Sequence, residues 1–142
     1  MASFHVAIIG AGLSGLALAL ALNQHSISCT IYEAYSFPLN TGGGLMLTPN
    51  GLKVLKAVGV YETIAEKAYS FNHVYVQLGP SGKIVDQFEY GNAEKYGMSA
   101  LRAYRFVVLK ELLAKVQSEG IPIEFNRRFS HVTQENNDSI EW

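Results

Sequence analysis

Cysteine is nearly absent from this sequence. Cys29 is the only one in 142 residues, so no disulfide can close within the chain. An oxidising compartment therefore gains no support. Charge is sparse as well: 16% of residues are charged, 11 basic against 12 acidic, with no like-charged run longer than two. Recognition of a phosphate backbone needs basic residues gathered on one face, so nucleic acid is not an expected partner. No apolar run reaches the ~20 residues of a membrane span. The longest, residues 13–22, contains Gly15 and stops at Asn23-Gln24. Residues 1–5 carry no Lys or Arg to head a secretory leader, and a cytoplasmic location is expected. His5, His25, His73 and His131 lie far apart, so no metal site is expected. The sequence lacks a G-x-S-x-G elbow, which leaves hydrolysis unsupported. Leu16 and Ala17, not a lysine, follow Gly15, which argues against nucleotide hydrolysis.

What is present reads as one globular domain over residues 1–142, with 49% hydrophobic residues. Residues 4–9 (FHVAII) form a β-branched run suited to a buried strand. Gly10-Ala11-Gly12-Leu13-Ser14-Gly15 follows, and then an Ala/Leu run over 16–22 that favours helix. Residues 27–33 (ISCTIYE) predict a second strand. Strand, glycine turn, helix and strand in about 30 residues make one βαβ unit, and the fold class expected is α/β, Rossmann-like.

Residues 35–47 read as a loop with Pro38 and the triplet Gly42-Gly43-Gly44. Thr48 and Pro49 look like the cap and first residue of a helix that Gly59 ends. A short helix is expected over 62–68. Residues 74–78 and 83–90 flank Gly79-Pro80-Ser81-Gly82, which predicts a β-hairpin within 72–90. Apolar residues at 108, 109, 112, 113 and 116 give a helix over 105–118 with Gly120 as its stop. Strands are expected over 121–125 and 129–135, and residues 139–142 begin a returning strand. Ten aromatics, Tyr35, Phe37, Tyr69, Phe71, Tyr75, Phe88, Tyr90, Tyr96, Tyr104 and Phe106, are expected mostly in core and sheet packing.

The glycine turn carries the chemistry. Gly10 permits a tight turn, Gly12 lets the backbone approach a pyrophosphate, and Gly15 lets helix and strand pack closely. Unpaired amides and the positive dipole end at the helix start suit phosphate. Ala11, Leu13 and Ser14 share that turn and are candidates with the glycines. Glu33 lies 18 residues after Gly15, close to the spacing of the acid that bonds a ribose 2′-hydroxyl. That acid disfavours a 2′-phosphate, hence NADP, at this site. These residues point to the ADP half of a dinucleotide and leave FAD and NAD open. Gly43 and Gly44 would let backbone approach a flat ring.

The segments VAIIGAGLSGLALALAL, YEA, GGGLMLTPNGLKVLKAVGV and LRAYRFVVLKELL together resemble class A FAD-dependent monooxygenases, the family of para-hydroxybenzoate and salicylate hydroxylases, and fungal members most. The resemblance spans nearly the whole chain. It implies a GR2-type FAD-binding domain with an added hairpin or meander, the hairpin at 72–90 belonging to a substrate-side sheet. It implies FAD as cofactor, with Gly10, Gly12 and Gly15 on the pyrophosphate and Glu33 on the adenosine ribose. Gly43 and Gly44 would lie near the isoalloxazine. Arg105, with Arg102 as second candidate, would reach the cofactor phosphates or ribose. NADPH or NADH and oxygen would serve hydroxylation or epoxidation of a small organic substrate. No residue stands out as a catalytic acid or base. The family's later Gly-Asp segment is missing, and Ala34 replaces the basic residue that often follows the ribose-binding acid.

The sequence stops four residues into a returning strand, so a C-terminally truncated domain is expected. Three readings remain: the FAD-binding part of a monooxygenase, a short non-catalytic flavin-binding protein, and an interaction module with an empty pocket. In doubly wound sheets the first strand is central; without later strands its open edge would favour a homodimer or domain swap.

Overall fold

The computed structural model describes residues 5–37, 42–136 and 139–142. Its contacts divide the chain into two compact units, Met1–Leu39 with Leu113–Trp142, and Asn40–Leu112. The elements in chain order are β1 (His5–Ile9), α1 (Leu13–Gln24), β2 (Ser28–Tyr32), β3 (Gly44–Leu47), α2 (Pro49–Ala57), α3 (Tyr61–Ala65), β4 (Tyr69–Phe71), β5 (His73–Gln77), β6 (Ile84–Glu89), α4 (Ala93–Tyr96), β7 (Ala100–Tyr104), α5 (Arg105–Ser118), β8 (Ile123–Glu124), β9 (Gln134–Glu135) and β10 (Ile140–Glu141).

The first unit holds a parallel sheet in the order β1-β2-β8. β1 and β2 run in register from His5–Ser28 to Ile9–Tyr32, as a βαβ crossover requires. Cys29, Thr30 and Ile31 on β2 are buried in succession, which is why that stretch is a continuous apolar run with one hydroxyl. Leu16, Ala19 and Leu20 of α1 and Val116 of α5 are buried in the same unit. β1 stands at an edge of the sheet among the described residues, and Ile9 at its end is 49% exposed. β9 and β10 form a separate short antiparallel pair.

The second unit is antiparallel. β7 is the middle strand between β3 and β4, and Ala100, Leu101 and Ala103 are buried. Leu52, Leu55, Val58, Val60 and Ile64 of the α2–α3 region and Val108, Leu109 and Leu112 of α5 complete its buried set. Among the described residues β5 and β6 pair only with each other, and they carry a register shift at Val76/Gln77.

Several expectations are corrected. Residues 44–47 are a strand, not loop, because β7 supplies four backbone partners. β8 and β9 are two residues each, far shorter than the runs expected over 121–125 and 129–135. Seven of the ten aromatics expected in packing are exposed: Tyr35, Phe37, Tyr69, Tyr75, Phe88, Tyr104 and Phe106. Tyr35 and Phe37 sit in a loop, Phe106 in the first turn of α5, and the other four on small sheets whose outer face meets water. The expected strand begins at Phe4 and the loop includes Pro38; both lie outside the described residues.

Candidate functional site

In the first unit the glycine turn joins β1 to α1. Gly10 has φ of +103°, a conformation open to glycine and costly for other residues, and its N–H donates to the Tyr32 carbonyl across the sheet at 2.8 Å. Gly12 caps α1 in extended backbone (φ −78°, ψ 179°) without a side-chain bond to the first turn. The first helical hydrogen bond runs from Leu16 N–H to the Gly12 carbonyl at 3.0 Å. The amides of Leu13, Ser14 and Gly15 therefore point out of the helix start with no acceptor inside it. That turn also lacks an acidic residue. Gly15 has no room for a side chain, since a Cβ there would lie 2.1 Å from the Gly10 carbonyl oxygen. A Cβ on Gly12 would meet nothing within 4 Å. The turn is thus packed tightly on its inner side and open on its outer side. Amides and the positive end of the helix dipole face that open side, a setting that suits an anion.

Glu33 follows β2 directly, and its backbone extends the sheet by donating to the Glu124 carbonyl at 2.8 Å. The residue is buried to 9% exposure. One carboxylate oxygen accepts from Ala11 N–H at 2.8 Å, and the other from Tyr35 N–H at 3.1 Å. Glu33 thereby ties the glycine turn to the chain leaving β2. Each oxygen keeps acceptor capacity for one further donor such as a sugar hydroxyl.

Sequence reasoning did not foresee the segment after β8. Arg127 N–H donates to the Glu33 carbonyl at 2.8 Å and Asn126 N–H to the Tyr35 carbonyl at 3.2 Å. Asn126 does so with φ of +59°. The Arg128 guanidinium lies 5.5 Å from the Tyr35 ring centre, within cation–π range. Tyr32, Arg127, Arg128 and Trp142 help line a cleft of about 400 Å³ beside these loops. The Arg127-Arg128 pair after a short strand is the one signal the sequence offered for it.

In the second unit the structure brings Gly43, Gly44 and Arg105 together. Gly44 pairs with Tyr104, and Arg105 N–H donates to the Gly43 carbonyl at 3.0 Å. Arg105 is the first residue of α5 and is half-buried. Arg102 instead faces outward, its guanidinium 5.3 Å from the Tyr69 ring centre. The described residues contain no group of three or more His, Cys, Asp or Glu able to hold a metal. None of their helices is long and apolar enough to cross a membrane.

Comparison with known proteins gives the same direction. Residues 3–140 match the family described as FAD binding domain. The chain is 28% identical over 102 residues to 6-hydroxynicotinate 3-monooxygenase of Pseudomonas fluorescens, covering 70% of this chain and 26% of that protein. It is 39% identical over 106 residues to the FAD-dependent monooxygenase pytG of Aspergillus terreus, covering 71% and 31%. Among solved structures, Klebsiella pneumoniae HpxO complexed with FAD and uric acid superposes with a TM-score of 0.75 at 25% identity, covering 96% of this chain and 34% of that one. The chain spans about a quarter to a third of the length of these relatives.

Proposed function

The chain belongs to the FAD binding domain family, and from that premise we propose that it is the FAD-holding portion of a flavin-dependent monooxygenase. The observation that carries the reading is the open outer side of the Gly10–Gly15 turn with Glu33 bonded to its Ala11 amide. In this reading the Leu13, Ser14 and Gly15 amides hold the pyrophosphate, and the free acceptor sites of Glu33 take the adenosine ribose hydroxyls. Arg105 meets the cofactor phosphates or ribose, and Gly43 and Gly44 lie near the isoalloxazine.

When bound, the flavin would supply the redox and oxygen chemistry, with NADPH or NADH as reductant and a small organic molecule as substrate. The chain's own residues bind and orient. No acid or base of the chain is assigned to catalysis. The cytoplasmic location expected from the sequence stays part of the proposal.

Gly12 provides the test, because a side chain there meets open space and leaves the fold intact. Purified protein should retain a flavin that mass spectrometry identifies as FAD. Gly12→Ala should fold equally well yet lose at least roughly tenfold in FAD affinity, since its methyl group stands where the diphosphate must approach. Equal FAD binding by the two proteins would contradict the reading. Flavin retained with no NADPH oxidation across a panel of phenols would favour the alternative of a non-catalytic flavin-binding protein.

A second reading, self-association as a homodimer or domain swap, is favoured by two observations. β1 has an open edge among the described residues, and β5 and β6 expose Tyr75, Val76, Ile84, Val85 and Phe88. Such surfaces favour pairing with another chain. A mass of one chain by light scattering at high concentration would count against it.

A further inference from the structure

We propose that Gly42 is a positioning residue for Arg105, keeping the path clear along which the arginine stem carries its guanidinium; this rests on the reading that Arg105 meets the cofactor. Gly42 has φ of +118°. A Cβ on it would fall 2.9 Å from Arg105 Cδ, 3.8 Å from its Cβ and 3.9 Å from its Cγ. The closest approach is thus to the middle of the stem. On the Arg105 side the backbone is held, because Arg105 N–H is bonded to the Gly43 carbonyl and the β3–β7 ladder runs on from Gly44–Tyr104 to Leu47–Leu101.

The atom that a Cβ would press on belongs to a flexible side chain, so the shift falls on the Arg105 stem beyond Cβ. Rotating it to another staggered well carries the guanidinium with it. The neighbouring glycines exert no such control. A Cβ on Gly43 would meet nothing within 4 Å, and one on Gly44 would come no closer than 3.8 Å to the Ala103 carbonyl oxygen. Anion recognition by arginine depends on a planar fork already aimed at its target. Gly42 therefore affects cofactor affinity through Arg105 without any contact of its own.

The test is a four-protein cycle of FAD affinity, read by flavin fluorescence and corrected for folded fraction: unaltered chain, Gly42→Ala, Arg105→Ala and the double variant. Arg105→Ala should weaken FAD binding roughly ten- to hundredfold. Gly42→Ala should weaken it by a similar factor. The double variant should be no more than roughly threefold weaker than Arg105→Ala, because the atom that Gly42 accommodates is gone. If Gly42→Ala costs the same factor in both backgrounds, its effect is loop strain alone and the proposal is wrong, while the Arg105 reading stands. If Arg105→Ala binds FAD like the unaltered chain, or no protein of the four binds, that reading and the proposal fall together. Should Gly42→Ala yield too little folded protein, melting temperatures decide. Recovery in the double variant supports the contact, and no recovery overturns it.

Discussion

The two glycine-rich segments use a missing side chain in opposite ways. At Gly15 the space is taken by backbone, with the Gly10 carbonyl oxygen 2.1 Å from where a Cβ would sit. At Gly42 it is taken by a flexible side chain, the Arg105 stem. Backbone in the turn between β1 and α1 is pinned by the bonds Gly10 N–H to Tyr32 and Leu16 N–H to Gly12, whereas a side-chain stem has other rotamers to turn to. A glycine of the first kind guards the fold. One of the second kind guards the aim of another residue.

This contrast can be broken by ranking substitutions. Gly15→Ala should have the largest effect, about 3 kcal/mol of lost stability, from forcing a methyl group into a packed turn. Urea unfolding measures it, and a loss no greater than that of Gly42→Ala would erase the distinction drawn above.

Glu33→Gln comes next. The amide has one acceptor oxygen where the carboxylate has two, so either Ala11 N–H or Tyr35 N–H loses its partner. The cost should be about 2 kcal/mol, because a buried donor is left unpaired and the surviving bond is no longer charge-assisted. Unchanged stability would mean that the carboxylate does not hold the turn.

The smallest effect belongs to Glu89 in the second unit. Hydrogen bonds from Asn92, Tyr96 and Lys95 hold its carboxyl down at about 2 from an ordinary 4.5. The folded value lies below the unfolded one, so the contribution is present above about pH 4.5 and fades as the pH falls towards 2. Comparing acid unfolding of the unaltered chain and Glu89→Gln should show a small extra loss in that window for the unaltered chain only. Parallel curves would remove Glu89 from the account.

The βαβ unit was legible because its determinants are local. A β-branched run, three glycines, an Ala/Leu run and an acid appear in order within residues 4–33. α5 was equally legible from its period, and it runs over Arg105–Ser118. β3 and β7 were not. GLML begins on the last of three glycines and ALRAY holds no β-branched residue, so neither has strong strand propensity. They are strands because each supplies the other's backbone partners across more than 50 residues of chain. The same limit applies at the site. Glycine spacing marked the turn, but the bond from Ala11 N–H to Glu33 depends on β1 and β2 pairing in register. The contact of Gly42 with Arg105 depends likewise on the β3–β7 ladder.

The central physical claim is that the first helix start and Glu33 together grip the ADP half of the cofactor. Competition binding tests it most directly: FAD bound to the chain is challenged with ADP and, separately, with FMN. The account predicts that ADP displaces FAD while FMN, which carries the flavin ring without adenosine, does not. Displacement by FMN and indifference to ADP would contradict it.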